Sequence, residues 1–201
     1  MARPADPLAK SKLLRAARQE FGAVGLTDAR VEDIAKRAKL AKGSFYLHFK
    51  SKDEAFHEIV DHFLADLQRV TDDYHPECMA SCNAEEALET FRVHDEKMLE
   101  FLWANRDIMR MILYGAKVRH QYAHALDAFL DGQAAQIAEG VRALQSNGVY
   151  ANDFDADACA WLLAGAWFNL ARRMCQMSSP PDFKLWAWTL RRLFGQGVVA
   201  R

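Results

Sequence analysis

Apolar residues in this chain recur at intervals of three and four over almost its whole length, and no stretch alternates apolar with polar residues. That period belongs to helices burying one face, and it speaks against any fold built on a sheet. One run is Phe56, Ile59, Val60, Phe63, Leu64 and Leu67; a second is Leu88, Phe91, Met98, Leu99 and Leu102; a third extends from Tyr122 through Leu126, Phe129, Leu130, Ile137 and Val141 to Leu144. Breaks fall at Gly25, Pro76, Asn105-Arg106-Asp107, Gly115, Ser146-Asn147-Gly148 and Ser178-Ser179-Pro180-Pro181. Period and breaks predict an all-α chain of about nine helices. Gly25 suits the left-handed position after the first helix, which should span Leu8 to Val24 with Leu13, Ala17 and Phe21 inward. Asp28, Ser51, Asn83 and Asp155 are the expected N-caps, and Ser51-Lys52-Asp53-Glu54 has the spacing of a capping box.

The 201 residues suffice for one large core or for a small unit joined to a larger one. The longest apolar run, Ala158 to Phe168, falls short of the roughly 18–20 residues of a membrane span. MARPADPLAK has no apolar stretch of the secretory kind, so a soluble cytoplasmic protein is expected, with residues 1–7 as a mobile arm.

Val31 to Lys52 carries the functional signal. Val31, Ile34, Ala35 and Ala38 mark one face of a short helix, Lys39-Leu40-Ala41 interrupts it, and Phe45 and Phe49 form an apolar pair on the next. Around them stand Lys36, Arg37, Lys39, Lys42, Ser44, Tyr46, His48, Lys50 and Lys52. Two short helices, apolar inside and cationic outside, are the pattern of a helix-turn-helix whose second helix enters a DNA major groove. The net charge of −1 conceals an asymmetry: residues 1–52 hold 12 Lys/Arg against 5 Asp/Glu, and residues 53–201 hold 14 against 22. A cationic end attracts phosphates, and an acidic remainder keeps the rest of the molecule off them.

Other chemistries find less support. His75, Cys78 and Cys82 include ligand types for a soft metal, but no fourth partner is near in sequence. Cys159 and Cys175 lie in apolar helix and read as small packed hydrophobes. No G-x-S-x-G, H-E-x-x-H or Gly-rich phosphate loop occurs, so an enzyme is not expected, and no cofactor is implied.

The spacing L-L-x-A-A-x-x-x-F-x-x-x-G (Leu13 to Gly25), V-x-D-I-A-x-R-A (Val31 to Ala38) and K-G-S-F-Y-x-H-F-x-S-K (Lys42 to Lys52) resembles the TetR family of transcriptional regulators. The resemblance covers about a quarter of the chain and implies a DNA-binding domain at 1–52, with a helical ligand-binding and dimerisation domain at 53–201. It also implies the contacts. Lys42 is suited to guanine O6/N7 and Gly43 to close approach of the backbone. Ser44, Tyr46 and His48 suit phosphate oxygens, and Lys52 has the position of a phosphate clamp. Three residues depart from the usual pattern: Ala29 for Thr or Ser, Lys39 for Gly, and Ala41 for a capping Ser. A lost cap oxygen costs about 0.5–2 kcal/mol. Arg30 and Lys39 can restore phosphate affinity through charge, so a steeper salt dependence is expected.

The resemblance further implies a C-terminal pocket and a four-helix dimer contact made by the last two helices. Those two helices are apolar on more than one face, with Trp186, Leu190 and Leu193 supplying area and Gly165-Ala166 permitting close approach. Pocket candidates are Met98, Leu102, Trp103, Met109, Ile112, Tyr122, Phe129, Trp161 and Trp167. Core packing accounts for each one alone; together they suit a small, largely apolar or aromatic effector. His94, His120 and His124 either contact its polar group or are solvated. The function expected is a homodimeric, ligand-responsive repressor of a pseudo-palindromic operator in double-stranded DNA, released when the effector binds. The alternative is a regulator without a small-molecule ligand, controlled by a protein partner or by metal or redox chemistry at His75, Cys78 and Cys82.

Overall fold

The computed structural model describes residues 7–72 and 84–198, excluding the side chains of 7, 84, 87, 88, 116–121, 123, 125 and 195–198. Residues 1–6 of the expected N-terminal arm, the Asn83 cap and the His75, Cys78 and Cys82 group lie outside the described residues, as do the side chains of Leu88 and His120, whereas Pro7 already opens the first helix. Nine helices and no strand make up the described chain. They are α1 (Pro7–Asp28), α2 (Val31–Arg37), α3 (Lys42–Tyr46), α4 (Lys52–Asp72), α5 (Ala84–Ala104), α6 (Arg106–Tyr114), α7 (Ala116–Ser146), α8 (Ala156–Met174) and α9 (Phe183–Val198). None is long and apolar enough to cross a membrane.

The expected stripe of α1 is its buried face: Leu13, Ala17 and Phe21 are each at most 1% exposed. Gly25, at φ 81° and ψ 163°, breaks the helix at the anticipated position. The chain then makes one further turn through Asp28, with Leu26 buried and the Ala29 amide bonded to the Gly25 carbonyl at 3.1 Å. That extra turn corrects the expected start of α2. Asp28 is consumed by it, and Arg30 takes the N-cap place with no side-chain hydrogen bond. Glu32 and Asp33 in the first turn supply the negative charge that the helix end favours.

Between α2 and α3, Lys39 has φ 58°, a left-handed conformation in which a Cβ is crowded. Its place is the one where the resemblance implies glycine. Ala41 precedes α3 and has no side chain with which to cap it. Phe45 and Phe49 are buried, their rings 5.2 Å apart, and hold α3 against α1 and α2. Ser51 caps α4 by accepting from the Glu54 amide at 3.1 Å, while the Glu54 carboxylate accepts from the Lys50 amide instead of from Ser51 itself. Asp155 and Asp182 cap α8 and α9, accepting from Ala158 N at 2.7 Å and Leu185 N at 3.0 Å.

One apolar core runs without interruption from α1, α2 and α3 through Phe56, Val60 and Phe63 of α4 to Met98 and Leu99 of α5, Ile112 of α6 and Met174. α4 is therefore the shared wall of both halves. Beyond it, α7 packs along α8 and α9 along α5. Along α8 and α9, Trp161, Leu162, Leu185, Trp188 and Leu193 remain between 49% and 71% exposed.

Candidate nucleic-acid interface and effector cavity

The helix-turn-helix is anchored from beneath by charge. Arg37 of α2 donates from Nη2 to Glu20 of α1 at 2.9 Å, and Glu20 is almost buried. Lys52, first residue of α4, reaches back so that its Nζ donates to the carbonyls of Thr27 and Ala29 at 2.6 and 3.0 Å. Those carbonyls end the extra turn after Gly25, so this ammonium ties α4 to the entry of α2. An ammonium has three donors, and the carbonyls occupy two.

The outer surface carries the remaining candidates. Arg30, Lys39, Lys42, Gly43 and Tyr46 are exposed, Ser44 and His48 half-buried. Open space surrounds the position of a Cβ on Gly43. Lys42 Nζ lies 2.5 Å from Glu32 Oε1 of α2. The hydrogen bond between these groups, with their charges, raises the Lys42 pKa and lowers that of Glu32. The lysine is thus fully cationic, with a carboxylate beside it.

Behind the interface lies a cavity of about 170 Å³, bounded by α4 through α9 and mostly apolar. Seven of the nine expected residues line it: Met98, Leu102, Met109, Ile112, Tyr122, Phe129 and Trp167. Trp103 and Trp161 do not. Trp103 lies under the Arg106 guanidinium, which is 4.0 Å from its ring, and Trp161 is 53% exposed. His94 reaches the cavity, its Nε2 2.9 Å from the Val70 carbonyl oxygen, whereas His124 is exposed. Sequence periodicity missed the polar end. Asp95, 1% exposed, accepts from Arg191 of α9 at Nη2 (2.5 Å) and Nε, and Arg191 also covers the Phe91 ring. The signal was present, because Asp95 stands on the buried stripe between Phe91 and Met98 where a carboxylate needs a partner.

The family model of bacterial regulatory proteins, tetR family, matches residues 13–59. Over that stretch the chain is similar to the TetR family. The curated relatives it matches are named HTH-type transcriptional regulators. It is 27% identical to the HTH-type transcriptional regulator YdgC of Bacillus subtilis over 156 residues, covering 78% of this chain and 75% of that one. It is also 37% identical to the HTH-type transcriptional repressor DhaR of Mycobacterium sp. over 60 residues, 30% of each chain. The fold is that of a TetR-like transcriptional regulator from Rhodococcus sp. RHA1, with a TM-score of 0.70 and 20% identity over 98% of this chain and 97% of that one.

Two further contacts join helices distant in the chain, the first of them across the two halves. Arg18 of α1 holds Asp107 of α6, with Nε to Oδ2 at 2.8 Å and Nη2 to Oδ1 at 2.6 Å, and also donates to the Ala104 carbonyl at 3.0 Å. His57 of α4 is hydrogen-bonded through Nδ1 to the hydroxyl of Tyr122 of α7. Burial and the Asp61 carboxylate push Tyr122 up to about 12, so the phenol keeps its proton at neutral pH. Neither contact follows from helical period, because each joins residues more than 60 positions apart.

Proposed function

We propose that this regulator is a homodimeric repressor whose hold on a pseudo-palindromic operator in double-stranded DNA weakens when a small, largely apolar molecule enters the α4–α9 cavity. Residues 1–52 are the DNA-binding domain, and residues 53–201 bind the effector and form the dimer. Arg30, Lys39, Lys42, Gly43, Ser44, Tyr46, His48 and Lys52 make the DNA contacts, Lys42 to a guanine and the others chiefly to the backbone. DhaR is named a repressor, which agrees with that sense of regulation. Exposed Trp161, Leu162, Trp188 and Leu193 support a second copy packed along α8 and α9. Cytoplasmic location accords with a DNA partner.

The observation carrying this reading is that α4 serves two sites at once. Val60, Phe63, Leu64 and Leu67 form one side of the cavity, and Lys52 at the start of the same helix holds the helix-turn-helix to α1. A ligand preferring a tilted α4 would move the recognition helices and shift the population away from the DNA-bound geometry. The test is to select bound duplexes from a random pool, then measure operator affinity while titrating apolar compounds that bind the protein. Recovery of paired half-sites about one helical turn apart, with weaker binding as the cavity fills, is expected. Operator affinity unchanged at saturation by every cavity-binding compound would overturn the ligand response, and recovery of single half-sites would overturn the dimer.

A further inference from the structure

The charges facing the cavity are already spent. Arg191 and Asp95 neutralise each other through a two-point contact, and Asp95 is 1% exposed. An anionic ligand could take Arg191 only by expelling that carboxylate and leaving it buried without its partner. A cationic ligand would meet the reverse problem at Asp95. The other polar groups at the wall are Thr71, Tyr122, Gln133, Gln136, Tyr150 and Cys159, with His94 bonded to a backbone carbonyl and its Nδ1 4.0 Å from Asp95. Gln133 donates to Thr71 at 3.3 Å, whereas Gln136 and the Tyr150 hydroxyl have no hydrogen-bond partner among the described residues. Burial raises Tyr150 to about 12, so its hydroxyl stays a donor. The cavity therefore offers hydrogen bonds to a neutral oxygen and no uncompensated charge to an ion.

We infer that the effector is an uncharged, largely apolar molecule bearing a carbonyl or similar oxygen acceptor, and that the Asp95–Arg191 pair excludes the carboxylate of the same carbon skeleton. Tyr150 and Gln136 bind the acceptor, while the α4 and α7 side chains enclose the apolar part. This rests on the reading of the cavity as the effector site, and it adds the class of ligand.

The test uses the full chain and a matched panel: decanoate and dodecanoate, their methyl esters, and methyl ketones of the same length. Binding and operator release are measured in the same buffer for every compound. Esters and ketones are expected to bind and release operator at concentrations at least about tenfold lower than the carboxylates. In Asp95→Asn, Arg191 is left without its counter-charge and the preference should reverse. The double variant Asp95→Asn/Arg191→Gln should restore the preference for the neutral compounds. Carboxylates matching the esters in wild-type affinity, with operator still released, would overturn the charge filter and leave the effector site standing. If no member of the panel binds, the effector-site reading falls and this inference with it. The wild-type panel decides even where a variant fails to fold.

Discussion

The hydroxyl of Tyr122, at the cavity wall on α7, is hydrogen-bonded to Nδ1 of His57 on α4, one turn and a half along from Lys52. The Tyr122 ring also meets Phe56 edge-on at 6.1 Å. A molecule displacing Tyr122 would therefore act directly on the helix that carries the helix-turn-helix. In Tyr122→Phe, ring packing survives and the hydrogen bond is lost, at a cost of about 0.5–1.5 kcal/mol of stability. Methyl ester binding should change little, while the drop in operator affinity at saturating ester should shrink by several-fold. An unchanged drop would show that α4 receives the signal elsewhere.

Lys42 and Glu32 make a second relationship with a measurable consequence. Lys42→Ala should weaken selected-operator binding by at least about fivefold and relax selectivity at one base position. Glu32→Gln removes the carboxylate beside Lys42 and should strengthen binding to unrelated duplex at low salt. Fluorescence anisotropy across a salt series reads both. Equal weakening of operator and unrelated DNA in Lys42→Ala would reassign the lysine to phosphate.

Lys39 occupies a left-handed turn at φ 58°. Lys39→Gly relieves the crowded Cβ at the cost of a more flexible unfolded chain, for a net gain of about 0.5–1 kcal/mol in thermal unfolding. It should also reduce the salt slope of DNA binding by about one if that ammonium contacts a phosphate. A destabilised Lys39→Gly would mean that the lysine side chain does more than fill the turn.

Asp107 predicts an acid limb. Burial alone would raise its carboxyl, but the hydrogen bonds and charge of Arg18, with backbone hydrogen bonds, leave it below the usual carboxylate range. The folded state thus holds the proton less tightly than the unfolded chain. The contribution is complete above about pH 4, near the unfolded value, and is lost as pH falls through the folded value. Because both side chains are about a third or more exposed, water screens the pair, and at most about 1 kcal/mol is at stake. Asp107→Asn should lower stability at neutral pH and flatten the acid limb, as read by chemical unfolding at a series of pH values. An unaltered acid limb would place its origin in other carboxylates.

What the sequence determined by itself is whatever depends on near neighbours. Helix positions follow from spacing at three and four residues, and their ends from Gly25, Gly115, Asp155 and the Ser-Ser-Pro-Pro break. The recognition region follows because its motif is compact, with Phe45 and Phe49 inside and cations around them. Asp28 failed as a cap because one extra turn after Gly25 depends on how Leu26 and Ala29 pack, which no local pattern encodes. Trp103 and Trp161 looked like cavity residues on size alone, but the rotation of each helix decides which large side chains turn inward. Tertiary structure alone decided the long-range pairs, Arg18 with Asp107, His57 with Tyr122 and Asp95 with Arg191. Each partner is named in the sequence, but the match depends on packing helices far apart in the chain, and for Asp95 burial makes an unpaired charge too costly to leave.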